Sequence, residues 1–291
     1  VFHTRLANAH DRSRGRSALL DKSLAALRVP SSSGITTGYS AIDRHTNGCK
    51  RGDLIVVAAR PSMGKTALAM CIAKNVALHR KSCVLVFSLE MDAESLVQRL
   101  IVAEAGIDGF LAPGGVRTPE ENERLVRAAK RISTVKIFID DQTTTTTGMR
   151  MNARRVKMQH GLDLIVVDYV QIISGPKSEN RNAEVTKISS ALKGIAREIG
   201  VPVIALSQLS RAVEKRDPPI PRLSDLRESG ALEQDADQVL LLYRPAYYPS
   251  QVDGDNRFDA QVLVAKNRNG PTGSAVLFFD ARSARFENNK P

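Results

Sequence analysis

The sequence predicts an α/β fold with a mostly parallel central sheet, flanking helices and a β-hairpin near the C-terminal end. Short apolar runs alternate with helical segments from Thr36 onward, and the last two runs flank a turn-forming segment. Near-continuous apolar strands separated by helices are typical of parallel sheets that are covered on both faces. A third observation is a loop that ends in Gly-Lys-Thr directly after the first strand, which indicates a phosphate-binding site on this sheet.

The strands are predicted from apolar runs at 54–59, 83–88, 136–139, 164–168, 201–206 and 238–243. Helices are predicted between them, near 65–79, 92–106, 119–132, 148–160 and 184–199. Thr118, three residues before Glu121, forms a capping-box pattern at the start of the third helix. The hairpin is predicted from residues 258–266 and 274–280, which flank an Asn- and Gly-rich turn.

The composition favours a polyanionic partner. Among 291 residues, 42 Lys and Arg against 31 Asp and Glu give a formal charge of +11, which favours nucleic acid over a membrane surface. Aromatic residues are only 4% of the chain and Trp is absent, which favours phosphate contacts over base stacking. The chain contains no apolar run near the roughly 20 residues of a membrane span. Its three cysteines are expected to be free thiols in the cytoplasm.

The first 34 residues differ from the rest of the chain. Three leucines at helical spacing predict a short amphipathic helix over about residues 18–28, inside a basic segment. The segment ends in Pro-Ser-Ser-Ser-Gly, which is a linker composition. We therefore expect a basic N-terminal segment at 1–34 and the main domain at 35–291. The helix packs either on its own domain or on a neighbouring subunit.

The segment after the first predicted strand indicates a nucleotide site. A tight loop followed by a helix N-terminus aims backbone N–H groups at phosphate oxygens. Lys65 is expected to reach the terminal phosphates of ATP or another nucleoside triphosphate, and Thr66 to bind Mg²⁺. Ala59 stands where this pattern usually has its first glycine, and the alternative is a Gly-Lys-Thr that occurs in a loop by chance. The residues expected to bind the nucleotide are Arg60, Pro61, Ser62, Met63, Gly64, Lys65, Thr66 and Ala67.

Polar residues follow three other predicted strands at the carboxyl ends, where such sheets bind ligands. Asp168 either holds Mg²⁺ together with Thr66 or caps a helix. Glu90 either activates a water or pairs with the N-terminus of the next helix, and the first role assumes that its strand neighbours the phosphate-loop strand. Gln208 either hydrogen-bonds the γ phosphate or is an ordinary surface residue.

Two basic features lie farther along the chain. Lys266 and Arg268 alternate at the entrance to the hairpin turn and therefore project from one side of it. They either clamp a transferring phosphoryl group or are solvated charges. The connection 208–227 has three prolines and no periodic pattern, which indicates either a functional loop or a solvated one.

Several separated segments together resemble one family, the motor domain of the DnaB-type replicative DNA helicases of bacteria and their phages. In the family's order they are Asp53 to Thr66, Phe87-Ser88-Leu89-Glu90-Met91, Asp168-Tyr169-Val170-Gln171, Ser207-Gln208-Leu209-Ser210-Arg211, Ser224 to Asp237, and Lys266 to Gly273. The resemblance covers roughly residues 17 to 287. Alanine at position 59 is frequent in the family.

The resemblance implies a RecA-like ATPase core that works as a homo-hexameric ring on single-stranded DNA. ATP would be hydrolysed at subunit interfaces, and the ring would unwind duplex DNA at the replication fork. Within one subunit, Lys65 and Thr66 would hold phosphate and Mg²⁺, and Asp168 would support the metal. Glu90 would activate water, and Gln208 would sense the γ phosphate.

Other residues correspond to parts of the family that act between subunits and on DNA. Lys266 and Arg268 correspond to a pair that reaches into the neighbour's nucleotide. Arg227, Glu228 and Gly230 correspond to a loop that lies on the DNA backbone in the ring's channel.

The resemblance also implies further partners and leaves alternatives. The helix at 18–28 matches the family's linker helix, which packs on the adjacent subunit. No N-terminal helical domain precedes that helix in this sequence, so we expect a motor-domain fragment or a short form. A helicase loader and primase are further implied partners, and the family assigns primase binding partly to the N-terminal domain. The alternatives are a recombinase or branch-migration ATPase, and a nucleotide-switched assembly protein that does not unwind DNA.

Overall fold

The computed structural model describes residues 34–80, 82–110, 115–173, 181–248 and 258–289. The chain divides into two units, Val1–Gly34 and Ile35–Pro291. The helix expected at 18–28 lies outside the described residues. Every described helix and strand belongs to the second unit.

The described residues form α-helices and β-strands that alternate for most of the chain. The helices are α1 (Ser40–Thr46), α2 (Lys65–Arg80), α3 (Ala93–Ala105), α4 (Pro119–Ile132), α5 (Thr146–His160), α6 (Arg181–Ile199) and α7 (Gly230–Asp235). The strands are β1 (Leu54–Ala59), β2 (Cys83–Ser88), β3 (Lys136–Asp140), β4 (Leu164–Asp168), β5 (Val203–Gln208), β6 (Gln238–Tyr243), β7 (Asp259–Asn267), β8 (Gly273–Asp280) and β9 (Arg285–Asn288). Short 3₁₀ helices lie at Val170–Ile172, Arg211–Lys215, Leu223–Ser229 and Pro245–Tyr247.

The nine strands of the described ranges belong to one sheet, in the order β3-β2-β4-β5-β1-β6-β7-β8-β9. The first six strands in this order run parallel to one another. β7 then pairs with β6, β8 with β7 and β9 with β8, each in antiparallel orientation. The predicted fold class is therefore confirmed. The predicted hairpin is β7 and β8, and it extends the main sheet.

The central strands are buried on both faces because their side chains alternate between two cores. Ile55 and Val57 of β1 pack into a core with α2, whereas Leu54 and Val56 pack into a second core with α6. Every residue of β1, β2, β4 and β6 is buried. Each large aliphatic side chain buried in this way contributes about 1.5–3 kcal/mol to folding. This explains why the strands read as continuous apolar runs.

The capping box predicted at the start of α4 is present. The Thr118 hydroxyl accepts a hydrogen bond from Glu121 N at 3.2 Å, and Glu121 Oε2 accepts one from Thr118 N at 2.8 Å. Pro119 occupies the first turn, where a missing N–H costs nothing. The sequence signal and the geometry agree because the cap involves only local groups.

The sequence pattern does not predict α1, α7 or β9, which have only four to seven residues each. So few residues carry too little periodicity to be recognised. Contacts outside the element help to hold α1: Asp43 accepts hydrogen bonds from Thr36 Oγ1 at 2.5 Å and from Thr37 N at 3.0 Å.

β5 begins at Val203 instead of residue 201. The Val201 N–H donates to Ala196 O at 3.2 Å, so it is still engaged with the end of α6. Pro202 has no N–H to donate to a neighbouring strand. Pairing with β1 and β4 therefore starts at Val203.

In the ranges described above, no helix combines the length and the apolar character that a membrane span requires. Cys49, Cys71 and Cys83 are buried free thiols, as expected.

A charge cluster is buried beneath the amino ends of β1 and β6. Asp237 Oδ2 accepts a hydrogen bond from Leu54 N at 2.8 Å and contacts Lys193 Nζ, which also donates to Gly52 O at 2.7 Å. Asp53 is 8% exposed, and its Oδ2 accepts no hydrogen bond from the described residues. Burial, and then the neighbouring Asp237, raise the pKa of Asp53 to about 6, although Lys193 opposes this shift.

We expect Asp53→Asn to stabilise the protein at neutral pH. A carboxyl group whose pKa is raised to about 6 by folding binds more protons in the folded state, so it costs stability as the pH rises from about 4 to 6. The variant should match the wild type near pH 4 and exceed its unfolding free energy by on the order of 1–3 kcal/mol at pH 7.5. Urea unfolding across this pH range measures the difference. A difference that is constant with pH would contradict the assignment.

Candidate active site

The candidate site lies at the carboxyl edge of the parallel strands. β1 ends at Ala59 and leads through a short loop into α2, which begins at Lys65. The order β2-β4-β5-β1 brings the ends of four strands to the same edge. Glu90 follows β2, Asp168 ends β4 and Gln208 ends β5. The sheet therefore gathers at one edge the phosphate loop and the three polar residues that the sequence predicted at strand ends.

The loop between β1 and α2 requires glycine at position 64. Gly64 has φ +92°, in the left-handed region that other residues rarely adopt. A Cβ at this position would also lie 3.2–3.3 Å from the rings of Phe286 and Phe279. Both the backbone conformation and the space thus demand the residue that the phosphate-loop pattern contains.

Two of the predicted nucleotide-binding residues turn their side chains into the protein. Met63 is buried in the core. Arg60 donates from Nε to Glu214 Oε1 at 2.9 Å and from Nη1 to Leu209 O at 2.7 Å. These two side chains are engaged elsewhere, so Arg60 and Met63 can offer only their backbone groups to a ligand in the loop. The Arg60–Glu214 pair also ties the loop to the connection 208–227.

The centre of the site is a contact between α2 and the end of β4. Thr66 Oγ1 donates to Asp168 Oδ2 at 2.6 Å, and Lys65 Nζ lies 3.7 Å from Asp168 Oδ1. Lys65 Nζ also sits 4.3 Å from the centre of the Tyr169 ring. Burial lowers the pKa of Lys65, and the carboxylates of Asp168 and Glu90 oppose this effect.

The donors at this point fit Mg²⁺. Asp168 is 2% exposed, and its Oδ1 accepts no hydrogen bond from the described residues. Lys65 Nζ, at 3.7 Å, offsets part of the charge on this oxygen but lies beyond hydrogen-bond distance, so a further donor or a cation would still satisfy it. A carboxylate and a hydroxyl are the hard oxygen ligands that Mg²⁺ takes together with substrate phosphates. Within the described ranges, His, Cys, Asp and Glu side chains form no group of three that could hold a metal alone.

The alternative role of Asp168 as a helix cap finds no support. The residue at the N-cap position of the following 3₁₀ helix is Tyr169, and no side chain caps that helix.

Glu90 reaches the site although its strand is not the neighbour of β1. The condition set for its role in water activation, that β2 neighbours β1, is not met, because β4 and β5 lie between these two strands. The exposed Glu90 nevertheless acts on the pKa values of Lys65 and Tyr169. The N-terminus of α3 is capped by Asp92, whose Oδ1 accepts from Ser95 N at 2.8 Å. Asp92 thus occupies the capping position of α3, and the alternative role of Glu90 as a charge partner of that N-terminus stays a prediction.

Gln208 lies beside the start of the phosphate loop. It pairs with Ala59 in the register of β5 and β1, and it is exposed. Gln171 Nε2 donates to Ser207 Oγ at 2.9 Å directly next to it. A cavity of about 460 Å³ opens here, lined by residues that include Arg60, Tyr169, Gln171, Gln208, Ser210 and Arg211.

Three residues at this edge had no role predicted from the sequence. Tyr169 and Gln171 lie directly after Asp168 and could have been found from that position. Glu214 carries no signal in the sequence, because only the fold brings it to Arg60.

A larger cavity, of about 720 Å³, lies elsewhere. Asn75 and His79 of α2 line it, together with Asp43 and Asn288. These α2 residues are roughly 15–20 Å along the helix from Lys65. None of the residues of the candidate site lines this larger cavity.

Lys266 and Arg268 lie at the opposite edge of the sheet. Asn267 pairs with Gln238 at the start of β6, and Gln238 pairs in turn with Ile55 of β1. Ile55 is roughly 13 Å along the strand from the end of β1 where the phosphate loop begins. Arg268 is therefore remote from the phosphate loop of its own chain.

The two cations project to the same side, as predicted. Lys266 Nζ donates to Glu233 O at 2.5 Å, and Arg268 Nη2 donates to Gln234 O. Both acceptors are main-chain carbonyls near the C-terminal end of α7. The Arg268 side chain remains 44% exposed.

The residues predicted to contact DNA lie where a 3₁₀ helix passes into α7. Arg227 and Glu228 belong to the 3₁₀ helix Leu223–Ser229, and their side chains lie outside the described part of the structure. Gly230 begins α7 and is exposed, and a Cβ there would meet nothing within 4 Å. Packing therefore does not explain this glycine.

Comparisons with known proteins point to one family. The family described as DnaB-like helicase C terminal domain matches residues 34–288. The replicative DNA helicase DnaB of Geobacillus stearothermophilus is 48% identical over 258 residues, and the replicative DNA helicase DnaC of Bacillus subtilis is 47% identical. The alignments cover 88% of this chain and 56% of those relatives, so the chain spans about half their length.

Solved structures agree with the sequence comparison. One that is described as an ATPase domain has a TM-score of 0.85 and 36% identity, covering 94% of this chain and 98% of that one. A DnaB-like replicative helicase, described together with its interactions with primase, has a TM-score of 0.87 and 36% identity. That match covers 93% of this chain and 68% of the other.

We expect Asp168→Asn to weaken the effect of Mg²⁺ on nucleotide binding. The amide removes the negative charge beside Thr66, so Mg²⁺ should increase the affinity for a fluorescent ATP analogue at least about tenfold less than in the wild type. Titrations in Mg²⁺ and in EDTA give this ratio. Asp163→Asn is the matched control, because Asp163 lies before the other end of β4 and accepts from Cys83 N. An unchanged Mg²⁺ effect in Asp168→Asn would remove Asp168 from the metal site.

Proposed function

This chain belongs to the DnaB-like helicase C-terminal domain family, and we propose that it hydrolyses ATP at the interfaces of a homo-hexameric ring, moves on single-stranded DNA and unwinds the duplex at the replication fork. The observation that carries the proposal is the division of the site between two edges of the sheet. The phosphate loop lies at one edge and Arg268 at the other. A complete catalytic pocket therefore needs two subunits.

ATP binds where the loop enters α2. The N-terminus of this 16-residue helix presents free N–H groups and a partial positive charge to the phosphates. Lys65 adds a full positive charge inside a largely buried surrounding. Arg60 is the first residue of the loop, and its contact with Glu214 fixes the direction in which the loop leaves β1.

Thr66 and Asp168 are the residues that would hold Mg²⁺ with the nucleotide. When bound, Mg²⁺ neutralises charge on the β and γ phosphates and assists displacement at the γ phosphorus. The assignment is supported by Asp168 Oδ1, which accepts no hydrogen bond within the described part of the chain.

Glu90 accepts the proton of the attacking water. Its carboxylate is exposed at the same edge and acts electrostatically on Lys65, as a base near the terminal phosphate must. Gln208, opposite Ala59 in the sheet, hydrogen-bonds the γ phosphate. Arg268, with Lys266 beside it, reaches the phosphates bound to a neighbouring subunit and stabilises the negative charge that develops on them.

Single-stranded DNA is held through its phosphates by the segment of Arg227, Glu228 and Gly230. The formal charge of +11 and the scarcity of aromatic residues support a grip on the backbone instead of base stacking. Such a grip is independent of sequence, as a helicase that passes every base requires.

The remaining parts of the proposal concern organisation and partners. Residues 35–291 form the motor domain, and the helix at about 18–28 links it to the adjacent subunit. A helicase loader and primase are the proposed partners at bacterial or phage forks in the cytoplasm. One structural relative is described together with its interactions with primase, which supports the last partner.

We expect two inactive variants to complement each other in one ring. Lys65→Ala and Arg268→Ala should each lower kcat by a factor on the order of 10³. Co-expressed with different affinity tags and purified as mixed rings, they should recover up to about a quarter of wild-type turnover, since about one interface in four pairs an intact loop with an intact Arg268.

The control is the solution mass of each single variant, which must equal that of the wild-type ring. Mixed rings without any recovered turnover would show that Lys65 and Arg268 do not act across an interface.

We expect Arg227→Ala to weaken binding of single-stranded DNA and DNA-stimulated hydrolysis more than hydrolysis without DNA. Loss of one phosphate contact should reduce the salt slope of binding by about one. Fluorescence anisotropy with a labelled oligonucleotide at several salt concentrations measures this slope. Arg155→Ala removes an exposed charge from α5 and should leave the slope unchanged. Equal losses with and without DNA would count against the DNA role of Arg227.

A further inference from the structure

Arg268 is held by its own chain at three points. Its main-chain N–H donates to Asp237 O at 2.8 Å. Its Nη1 lies 3.3 Å from Asp237 Oδ1, and its Nη2 donates to Gln234 O. A long flexible side chain on a hairpin is thereby fixed at both its base and its tip.

Asp237 is itself immobilised. It is 6% exposed and lies between the end of α7 and the start of β6. Its N–H donates to Leu54 O at 2.9 Å, and its Oδ2 accepts from Leu54 N at 2.8 Å and from Lys193 Nζ. Only Oδ1 faces Arg268, so the direction of that contact is set by β1 and α6.

The contacts leave part of the Arg268 guanidinium available. Arginine carries five N–H donors in a planar fork, and the two side-chain contacts use one donor each from Nη1 and Nη2. The side chain is 44% exposed, so these contacts do not enclose it. Lys266 differs from Arg268 in its partners. Arg268 contacts a carboxylate, whereas the contacts described for Lys266 Nζ are with main-chain carbonyls alone.

We propose that Asp237 is a positioning residue for Arg268, which presents the free donors of its guanidinium to the nucleotide of a neighbouring subunit. The inference rests on the proposed function, because it assumes that Arg268 acts in trans. Arg268 then enters the interface with its rotamer already selected, and less conformational entropy is lost when it meets the phosphates. Asp237 touches no substrate and acts only through Arg268.

The test compares two variants that break the same buried ion pair. Asp237→Asn removes the charge that faces Arg268 and also the partner of Lys193. Lys193→Met removes the partner of Asp237 but leaves Oδ1 beside Arg268 and Oδ2 on Leu54 N. Steady-state ATP hydrolysis by the intact ring, with Mg²⁺ and an oligonucleotide, gives kcat and KM for each.

We expect Asp237→Asn to lower kcat by about ten- to hundredfold with KM for ATP unchanged, and Lys193→Met to change kcat by less than about twofold. In a ring that already carries Arg268→Ala, adding Asp237→Asn should cause no further loss. If Asp237→Asn does not fold, the double variant Lys193→Met/Asp237→Asn removes both charges of the pair and is compared with Lys193→Met alone.

Equal losses in Asp237→Asn and Lys193→Met would assign Asp237 to stability and overturn the inference. A further loss on top of Arg268→Ala would also overturn it, because Asp237 would then act by another route. Both results leave the proposed function intact. Full turnover in Arg268→Ala would overturn the proposed trans role and this inference together, so the two failures are distinguishable.

Discussion

A sheet that is buried on both faces can carry polar chemistry only at its edges, and this constraint organises the molecule. Every residue of β1 is buried between two apolar cores. A strand of this length spans roughly 17–20 Å, so the groups at its two ends cannot meet within one chain. The carboxyl edge gathers Lys65, Thr66 and Asp168, whereas the amino edge gathers Asp237 and Arg268. Function that uses both sets must therefore arise between chains.

The two edges also differ in how their carboxylates are satisfied. Asp168 accepts a hydrogen bond from Thr66 on one oxygen, and its other oxygen has the Lys65 ammonium at 3.7 Å but no hydrogen bond among the described residues. Asp237 uses both oxygens, with Leu54 N and Lys193 on one and Arg268 on the other. An incompletely satisfied carboxylate suits a group that binds a ligand, whereas a saturated one suits a group that fixes a neighbour. Burial is similar at the two sites, so the partners make the difference.

The sequence was sufficient for features that depend on local order along the chain. The continuous apolar runs predicted each central strand, and the Thr118 cap and the Gly64 loop followed from short patterns. Features that depend on contacts between distant segments were not accessible. Nothing near Glu214 indicates its pairing with Arg60, and the pairing order that separates β2 from β1 is set by later strands. The short elements α1, α7 and β9 were not predicted, because contacts with other segments of the chain hold them in place.

The short helix α7 connects two segments that the sequence treated as separate. It begins at Gly230, and its last carbonyls hold Lys266 and Arg268. Six helical residues rise only about 9 Å, and Ser189 and Ser190 of α6 brace this rod from the side. In a ring assembled as proposed, single-stranded DNA that displaces residues 227–230 would also displace α7. Because the last carbonyls of α7 hold Arg268, this movement would change the position of Arg268 in the catalytic pocket of the neighbouring subunit. DNA contact in one subunit would then affect ATP hydrolysis in the neighbour that its Arg268 touches, and this coupling would run in one direction around the ring.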